Sequence, residues 1–344
     1  MNKLSTLSSS HRRLASFVDW IRTPAEREEA ITEQAEEIRT RVKGQAEKDG
    51  LTVRSMPFSG SFKKKTGLRR HMHGGAEIEG QDVDISFVLH PDSVGDEDRS
   101  MLIERFLRYV KASYPSTPSE STRSSVRIEF AGTKINYDLV PMIAVVENDV
   151  EQLLFRSNGE KRRTSVRRHI EFITTRTKSS NDTPGRVLFN ECIRLVKWWR
   201  CYREGEARVI EEVPSMLIDL LCAKAYDERG VATTYTETLG RWLSWMADAV
   251  ASRRTITFAD FGQGAATSGD SRGWSVLDPV NAGNNVMPMA WKDAHVRELQ
   301  EWLAAARDCM AEVEALDRRG DAQGAREVLI ELFGAPFKHH GDLS

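Results

Sequence analysis

The sequence predicts an α+β protein in two parts, strands interleaved with helices as far as about residue 150 and helices alone from residue 186. Three observations predict it. Residues 81–89 (QDVDISFVL) and 134–146 (KINYDLVPMIAVV) have the alternation and the apolar runs of half-buried and buried strands. From Arg186 onward the apolar residues recur at three- and four-residue intervals instead. Between these regions, Glu151 to Gly185 is polar and rich in Arg, Lys, Ser and Thr, as expected of a link between lobes.

In chain order, a helix is predicted near Leu14 to Trp20. Thr23-Pro24-Ala25-Glu26 then reads as a capping box with proline at the first helical position. Ile31, Ala35, Ile38, Val42 and Ala46 form the apolar stripe of the helix that follows, and Gly50 ends it. Leu51 to Phe58 is a short strand running into a turn, Ser59-Gly60-Ser61. Residues 69–80 (RRHMHGGAEIEG) separate this turn from the strand 81–89. His71 and His73 in that segment lack a cysteine or carboxylate at zinc spacing, so they read as solvated loop residues before metal ligands.

Asp96 to Ala112 is helical and is stopped by Pro115 and Pro118. Ser125 to Phe130 and Lys134 to Val140 form a hairpin about Ala131-Gly132-Thr133. A short helix at 164–175 interrupts the link. Leu188, Cys192, Leu195, Val196 and Trp199 then line one helix face, with Asn190, Arg194 and Lys197 on another, polar face. Pro214 and Ser215 open the next helix, which carries Leu217, Leu220 and Leu221. A third carries Leu239, Trp242, Leu243, Met246 and Val250. Residues 262–273 (GQGAATSGDSRG) read as a mobile loop, and 276–285 (VLDPVNAGNN) as a dense cluster of turns. A long helix with Val296, Leu299, Leu303, Ala306, Met310 and Val313 precedes a last one ending near Phe333. The expected domains are 1–185, 186–335 and a frayed tail at 336–344.

Composition removes several classes. A chain of 344 residues with 40% apolar and 29% charged residues can bury an ample core and is not a disordered polymer. No apolar run reaches the 18 or so residues of a membrane span, and the N-terminus lacks the apolar segment of a signal peptide. Cys192, Cys201, Cys222 and Cys309 show no CxxC spacing and lie in apolar helical patterns, which suits reduced core thiols and a cytoplasmic location. A net charge of −2 gives no general basis for binding a long nucleic acid.

The chemistry concentrates at the Gly-Ser turn and the strand after it. Asp82 and Asp84 share one strand face about 7 Å apart, while Val83 and Ile85 point the other way. Two such carboxylates repel unless a cation lies between them. Mg²⁺ suits the position, because it takes one or two carboxylates and completes its shell with waters and substrate phosphates. Gly60 and Ser61 offer backbone N–H groups and a hydroxyl to those phosphates. The combination points to metal-dependent chemistry on a nucleoside triphosphate. Asp138 shares a face with Asn136 and Val140. It is either a satisfied structural acid or, beside Asp82 and Asp84, a third ligand and general base. Lys63, Lys64, Lys65, Arg69 and Arg70 are either a solvated face or phosphate contacts.

This order of features resembles the DNA polymerase β-type nucleotidyltransferase superfamily, and more narrowly the bacterial cGAS/DncV-like nucleotidyltransferases (CD-NTases) of antiphage signalling. GSFKKKT, DVDISFVL, NYDLVPMIAV, the Lys197 helix followed by Pro214-Ser215, and VLDPVNAGNNV carry the resemblance over roughly residues 25–317. Two departures stand out. About twenty residues separate Ser61 from Asp82, so 69–80 looks like an insertion, and Lys65 stands where many members have glycine.

The resemblance implies a polymerase β-like lobe, a mixed twisted sheet flanked by helices, and a helical lobe with the active site in the cleft between them. It implies that Asp82, Asp84 and Asp138 hold two Mg²⁺, with Mn²⁺ as the substitute ion, and serve the catalysis. Gly60 and Ser61 would hold the β,γ-phosphates, and Lys197 and Ser215 would reach the triphosphate. Without it, Lys197 is a solvated helix residue and Ser215 an ordinary helix start. Asp278, Asn281 and Asn285 are expected to brace the cleft. The implied activity joins ribonucleoside triphosphates, ATP first among them, into a cyclic di- or trinucleotide. Regulatory or effector proteins of an antiphage operon would be its partners, with no membrane and no long nucleic acid. The competing readings are a linear oligoadenylate or RNA-tailing enzyme, and a catalytically silent nucleotide-binding module.

Overall fold

The computed structural model describes residues 7–69, 71–73, 76–78, 82–146, 148–181, 186–262 and 273–341. It falls into two compact units. A sheet unit takes 23–71 and 79–171, and a helical unit takes 1–22, 72–78 and 172–344. The chain's first helix therefore counts with the helical unit, and the second division falls at residue 171, ahead of the 185 drawn from the sequence.

In the sheet unit, α2 (Ala25–Lys48) precedes β1 (Val53–Ser55) and a single-turn helix, α3 (Gly60–Lys64). The capping box read at Thr23 and Glu26 does not form. The helix begins one residue later than the box needs, so Pro24 holds the N-cap position and no side chain caps the first turn. Its C-terminus closes as expected, with Gly50 at φ 81° and the Leu51 N–H donating to the Ala46 carbonyl at 2.9 Å. Residues 71–73 (β2) and 76–78 (β3) pair as a separate two-stranded sheet, and nothing further of that segment, His71 and His73 included, lies within the described side chains.

β4 (Asp82–Leu89), α4 (Leu102–Ser113), β5 (Ser119–Ser121), β6 (Val126–Phe130) and β7 (Ile135–Val145) follow. β7 is the organising strand. It pairs in parallel with β4 from Asp82↔Asn136 to Leu89↔Ile143, antiparallel with β6 through its first half, and antiparallel with β8 (Asn148–Phe155) near its end. β9 (Lys161–Thr164) extends the sheet beyond β8. The stretch expected to be a polar link is thus two strands and α5 (Val166–Ser180). Among the described residues β4–β7 is the parallel pair of an otherwise antiparallel sheet, so the sheet is mixed.

One face of β4 makes the core. Val83, Ile85, Phe87 and Leu89 are fully buried with Ile31, Ala35, Ile38 and Val42 of α2 and Phe106 and Val110 of α4. Each such side chain contributes roughly 1.5–3 kcal/mol on leaving water. The residues between them are committed to the opposite face, which is where the aspartates stand.

The helical unit comprises α1 (Ser9–Ile21), the later part of α5, α6 (Phe189–Arg203), α7 (Arg208–Glu212), α8 (Ser215–Arg229), α9 (Tyr235–Ala251), α10 (Asp293–Arg318), α11 (Ala322–Phe333) and α12 (Ala335–His340). α6 is buried on nearly every side, Arg194 and Lys197 included, so the polar face assigned to it from sequence is interior. Phe17 of α1 meets Trp198 at 5.4 Å, Phe333 at 5.9 Å and Phe337 at 5.0 Å between ring centroids. The tail expected to fray is instead helical through His340, because Phe337 is buried in this aromatic group and His340 stacks on Trp20 at 3.9 Å. The loop expected at 262–273 lies, for 263–272, outside the described residues. Among the described residues no helix is long and apolar enough to cross a membrane.

Candidate active site

Pairing of β4 with β7 brings the three aspartates together. Asp84 and Asp138 are direct cross-strand partners, and Asp82 lies two residues before Asp84 on the same face. The turn before α3 docks against this spot. The Ser59 N–H donates to the Asp84 carbonyl at 2.9 Å and the Ser86 N–H to the Pro57 carbonyl at 3.0 Å, while the Ser59 and Ser86 hydroxyls lie 3.0 Å apart. Gly60 is held so closely that a Cβ there would stand 1.7 Å from Asp84 Oδ2, and its φ of +60° is itself unfavourable for other residues. Glycine is required at this position twice over, by backbone and by space. Ser61 follows it in α3.

The electrostatics express the crowding. Burial pushes the Asp84 carboxyl from its ordinary 3.8 up to about 7, and repulsion from Asp138 and Asp82 adds to the rise, against the opposing pull of Lys64 and Arg127. Asp138 is only 8% exposed. Its Oδ1 accepts from the Ser125 hydroxyl at 3.0 Å and from Arg127 Nε at 3.4 Å, and its Oδ2 from Arg127 Nη2 at 2.9 Å. The same Nη2 donates to Asp82 Oδ2 at 2.6 Å. Arg127 was not singled out in the sequence. The signal was the hairpin register, since counting outward from Phe130↔Ile135 sets Arg127 opposite Asp138.

Among the described residues no group of three or more His, Cys, Asp or Glu side chains is arranged to hold a metal ion. The donor set nonetheless fits Mg²⁺, a hard ion that uses one or two carboxylates and leaves its remaining positions to water and substrate. A carboxylate whose charge is suppressed by burial and by its acidic neighbours, as at Asp84, is one that a divalent ion would return to the ionised state.

The remaining sequence candidates are placed as follows. Lys197 Nζ lies 2.7 Å from Asp219 Oδ1 as an ion pair inside the helical unit, with the two side chains 5% and 4% exposed. It is therefore not a solvated residue. Ser215 is the exposed first residue of α8, four positions before Asp219. Asp278 and Asn285 organise their own turns. Asp278 accepts from the Val280 N–H at 2.8 Å and the Asn284 side chain at 2.9 Å, and Asn285 accepts from the N–H groups of Val276 and Met287. Lys65 closes α3 with φ 58° and ψ 36°, the left-handed conformation that glycine adopts at least cost. That conformation is the one a glycine would favour, and Lys65 adopts it here with its Nζ paired to Glu28 at 2.6 Å.

Residues 9–176 match the family model of the Second Messenger Oligonucleotide or Dinucleotide Synthetase domain. Over nearly its whole length the chain is similar to the structure of Escherichia coli MS115-1 CdnC with ATP, with a TM-score of 0.76, 22% identity, and 96% of this chain and 99% of that one covered. It is also similar to Bradyrhizobium diazoefficiens CdnG in complex with GTP (0.70, 14% identity, 96% of each chain). A third likeness is to Vibrio cholerae DncV, a cyclic AMP-GMP synthase (0.65, 13% identity, 95% of this chain and 96% of that one). At these identities the structural likenesses establish the fold. No curated protein matches the chain.

Proposed function

We propose that the chain, whose residues 9–176 match the oligonucleotide-synthetase domain and whose fold is cGAS/DncV-like, is a nucleotidyltransferase that joins ribonucleoside triphosphates into a cyclic di- or trinucleotide and releases pyrophosphate. The observation that carries the proposal is the cluster itself: three carboxylates on adjacent parallel strands, with the Gly60 backbone pressed against the middle one.

In this reading Asp82, Asp84 and Asp138 hold two Mg²⁺, or Mn²⁺ in their place. When bound, the metal lowers the pKa of the attacking ribose hydroxyl and neutralises charge on the leaving pyrophosphate. The chain's own groups do the positioning. The missing side chain at Gly60 lets the turn close against the Asp84 carboxylate, and the Ser61 hydroxyl follows it as a donor to phosphate. β4 and β7 fix the spacing of the carboxylates, and Ser125 holds the orientation of Asp138. Lys197 and Ser215 are proposed as triphosphate contacts, which requires Lys197 to share or leave its pairing with Asp219. A cytoplasmic antiphage signalling role, with ATP as the first substrate, completes the reading. E. coli MS115-1 CdnC has been solved in complex with a HORMA protein, and a regulatory partner of that kind is proposed for this chain.

The test is incubation with all four ribonucleoside triphosphates and Mg²⁺, without RNA, followed by phosphatase and mass spectrometry. A labelled oligonucleotide that keeps all its phosphate supports a ring. Loss of label from a 5′ end points to a linear product, and activity only with an RNA primer to a tailing enzyme. No product under any of these conditions points to a silent binding module.

A further inference from the structure

β6 delivers a guanidinium into the carboxylate cluster. Arg127 is the cross-strand partner of Asp138, and its side chain is 28% exposed beside Asp82 at 26% and Asp138 at 11%. Nη2 bridges the two acids, at 2.6 Å from Asp82 Oδ2 and 2.9 Å from Asp138 Oδ2. The grip is uneven. Asp138 receives Arg127 at both oxygens and Ser125 at one, whereas the Arg127–Asp82 link rests on Nη2. Charge-assisted contacts of this kind are strong where solvent is partly excluded, and a forked hold on one carboxylate fixes the guanidinium plane. A divalent ion that takes Asp82 through Oδ2 meets Nη2 at the same oxygen.

We infer that Arg127 is the resident counter-cation of the metal-free cluster, joining Asp82 to Asp138 until a divalent ion takes Asp82 and leaves the guanidinium on Asp138. The inference rests on the reading of Asp82, Asp84 and Asp138 as divalent-ion ligands. Arg127 is then a positioning residue. It keeps like charges on neighbouring strands from splaying when no ion is bound, and it weakens the first ion's binding by competing for the same oxygen.

The experiment measures Mn²⁺ binding to the full chain, without nucleotide, by titration calorimetry and by the loss of the free-ion paramagnetic resonance signal. Wild type, Arg127→Gln, Arg127→Lys and Asp84→Asn are compared, with thermal melts of each in chelator and in saturating Mn²⁺. Removing the guanidinium charge in Arg127→Gln should tighten Mn²⁺ binding by about tenfold, the scale set by one unit charge at close range in a partly screened site. Its melting temperature in chelator should fall by roughly 3–6 °C, and saturating Mn²⁺ should close most of the gap. Arg127→Lys keeps the charge and should bind Mn²⁺ within about twofold of wild type. Equal or weaker Mn²⁺ binding by Arg127→Gln would overturn the inference while leaving the ligand assignment standing. An Arg127→Gln variant that folds neither in chelator nor in Mn²⁺ would also overturn it, placing Arg127 in the scaffold. If Asp84→Asn binds Mn²⁺ as wild type does, the ligand assignment fails and the inference fails with it.

Discussion

Two of the places where the chain removes charge from water treat it oppositely. In the helical unit, Lys197 of α6 and Asp219 of α8 form an ion pair, with both side chains at or below 5% exposure. In the sheet unit, three aspartates of β4 and β7 cluster while the guanidinium of Arg127 bonds to two of them, Asp82 and Asp138, and burial with the repulsion of those neighbours pushes the Asp84 carboxyl up to about 7. A matched buried pair has settled its electrostatics within the fold, and breaking it hurts folding first. An acidic excess held by a rigid sheet stays unsettled until something cationic arrives. Such an excess marks a place for a ligand, whereas a balanced pair alone does not.

The largest expected effect breaks the unsettled side of this contrast. Asp82→Asn with Asp84→Asn should lower turnover by at least ~10³-fold, equivalent to about 4 kcal/mol of lost transition-state stabilisation. The fold should survive, since repulsion is relieved. Turnover of labelled triphosphate by the double variant, with circular dichroism as the folding control, checks it, and near-wild-type turnover would sink the assignment.

Next comes the settled side. Lys197→Met leaves Asp219 buried without its partner and should cost about 3–5 kcal/mol of stability in urea melts. Lys197→Met with Asp219→Leu should recover most of that loss. If Lys197 also serves the triphosphate, the double variant will fold well yet bind nucleotide poorly; intact nucleotide affinity would make the pair purely structural.

Gly60→Ala probes how tightly the turn is fitted to Asp84. The added methyl collides with the carboxylate and disfavours the φ of +60°, so Asp84 must move. A displacement of this size should lower kcat by about 100-fold while the thermal melt shifts modestly. Unchanged kcat would mean the turn can retreat without disturbing Asp84.

The smallest effect is a slope. In the folded, metal-free chain Asp84 keeps its proton up to about pH 7, whereas in the unfolded chain it releases it near 3.8. Its stabilising contribution is therefore complete below the lower value and lost as pH rises to the upper one, at up to about 1.4 kcal/mol per pH unit. Asp84→Asn should lack this slope between pH 5 and 7, and Mg²⁺ should flatten it in the wild type. Parallel pH–stability curves for wild type and variant in chelator would remove the basis for the raised Asp84 carboxyl.

Much of the site was legible because strand alternation is rigid. Once DVDISFVL was a strand, Asp82 and Asp84 had to share a face, and the hairpin turn at 131–133 fixed the neighbourhood of Asp138. Arg127 was equally fixed by that register, but an arginine within a strand reads as a solvated edge residue until its partner is counted. The solvated alternative for Lys197 failed for the opposite reason. Helical periodicity sorts residues by polarity, and a lysine matched by an aspartate on another helix breaks the sorting. β8 and β9 were missed because KRRT carries no apolar alternation and pairs through its backbone, with Arg163 answered by Glu151. The C-terminal helix went unseen because its anchors, Pro336, Phe337 and the stacked His340, span too few residues to show a period.

The division of the chain also bears on how it is made. The sheet unit is an insertion within the helical unit, whose first helix is read out before the sheet and whose other helices come after it. Phe17 is fully buried, yet its partners Trp198, Phe333 and Phe337 leave the ribosome long after it does. The sheet unit can close as soon as β9 has emerged, but α1 must wait, apolar face uncovered, until almost the last residues appear. During synthesis α1 is thus the segment most in need of a chaperone, and truncations ahead of Phe337 should strand it while leaving the carboxylate sheet able to form.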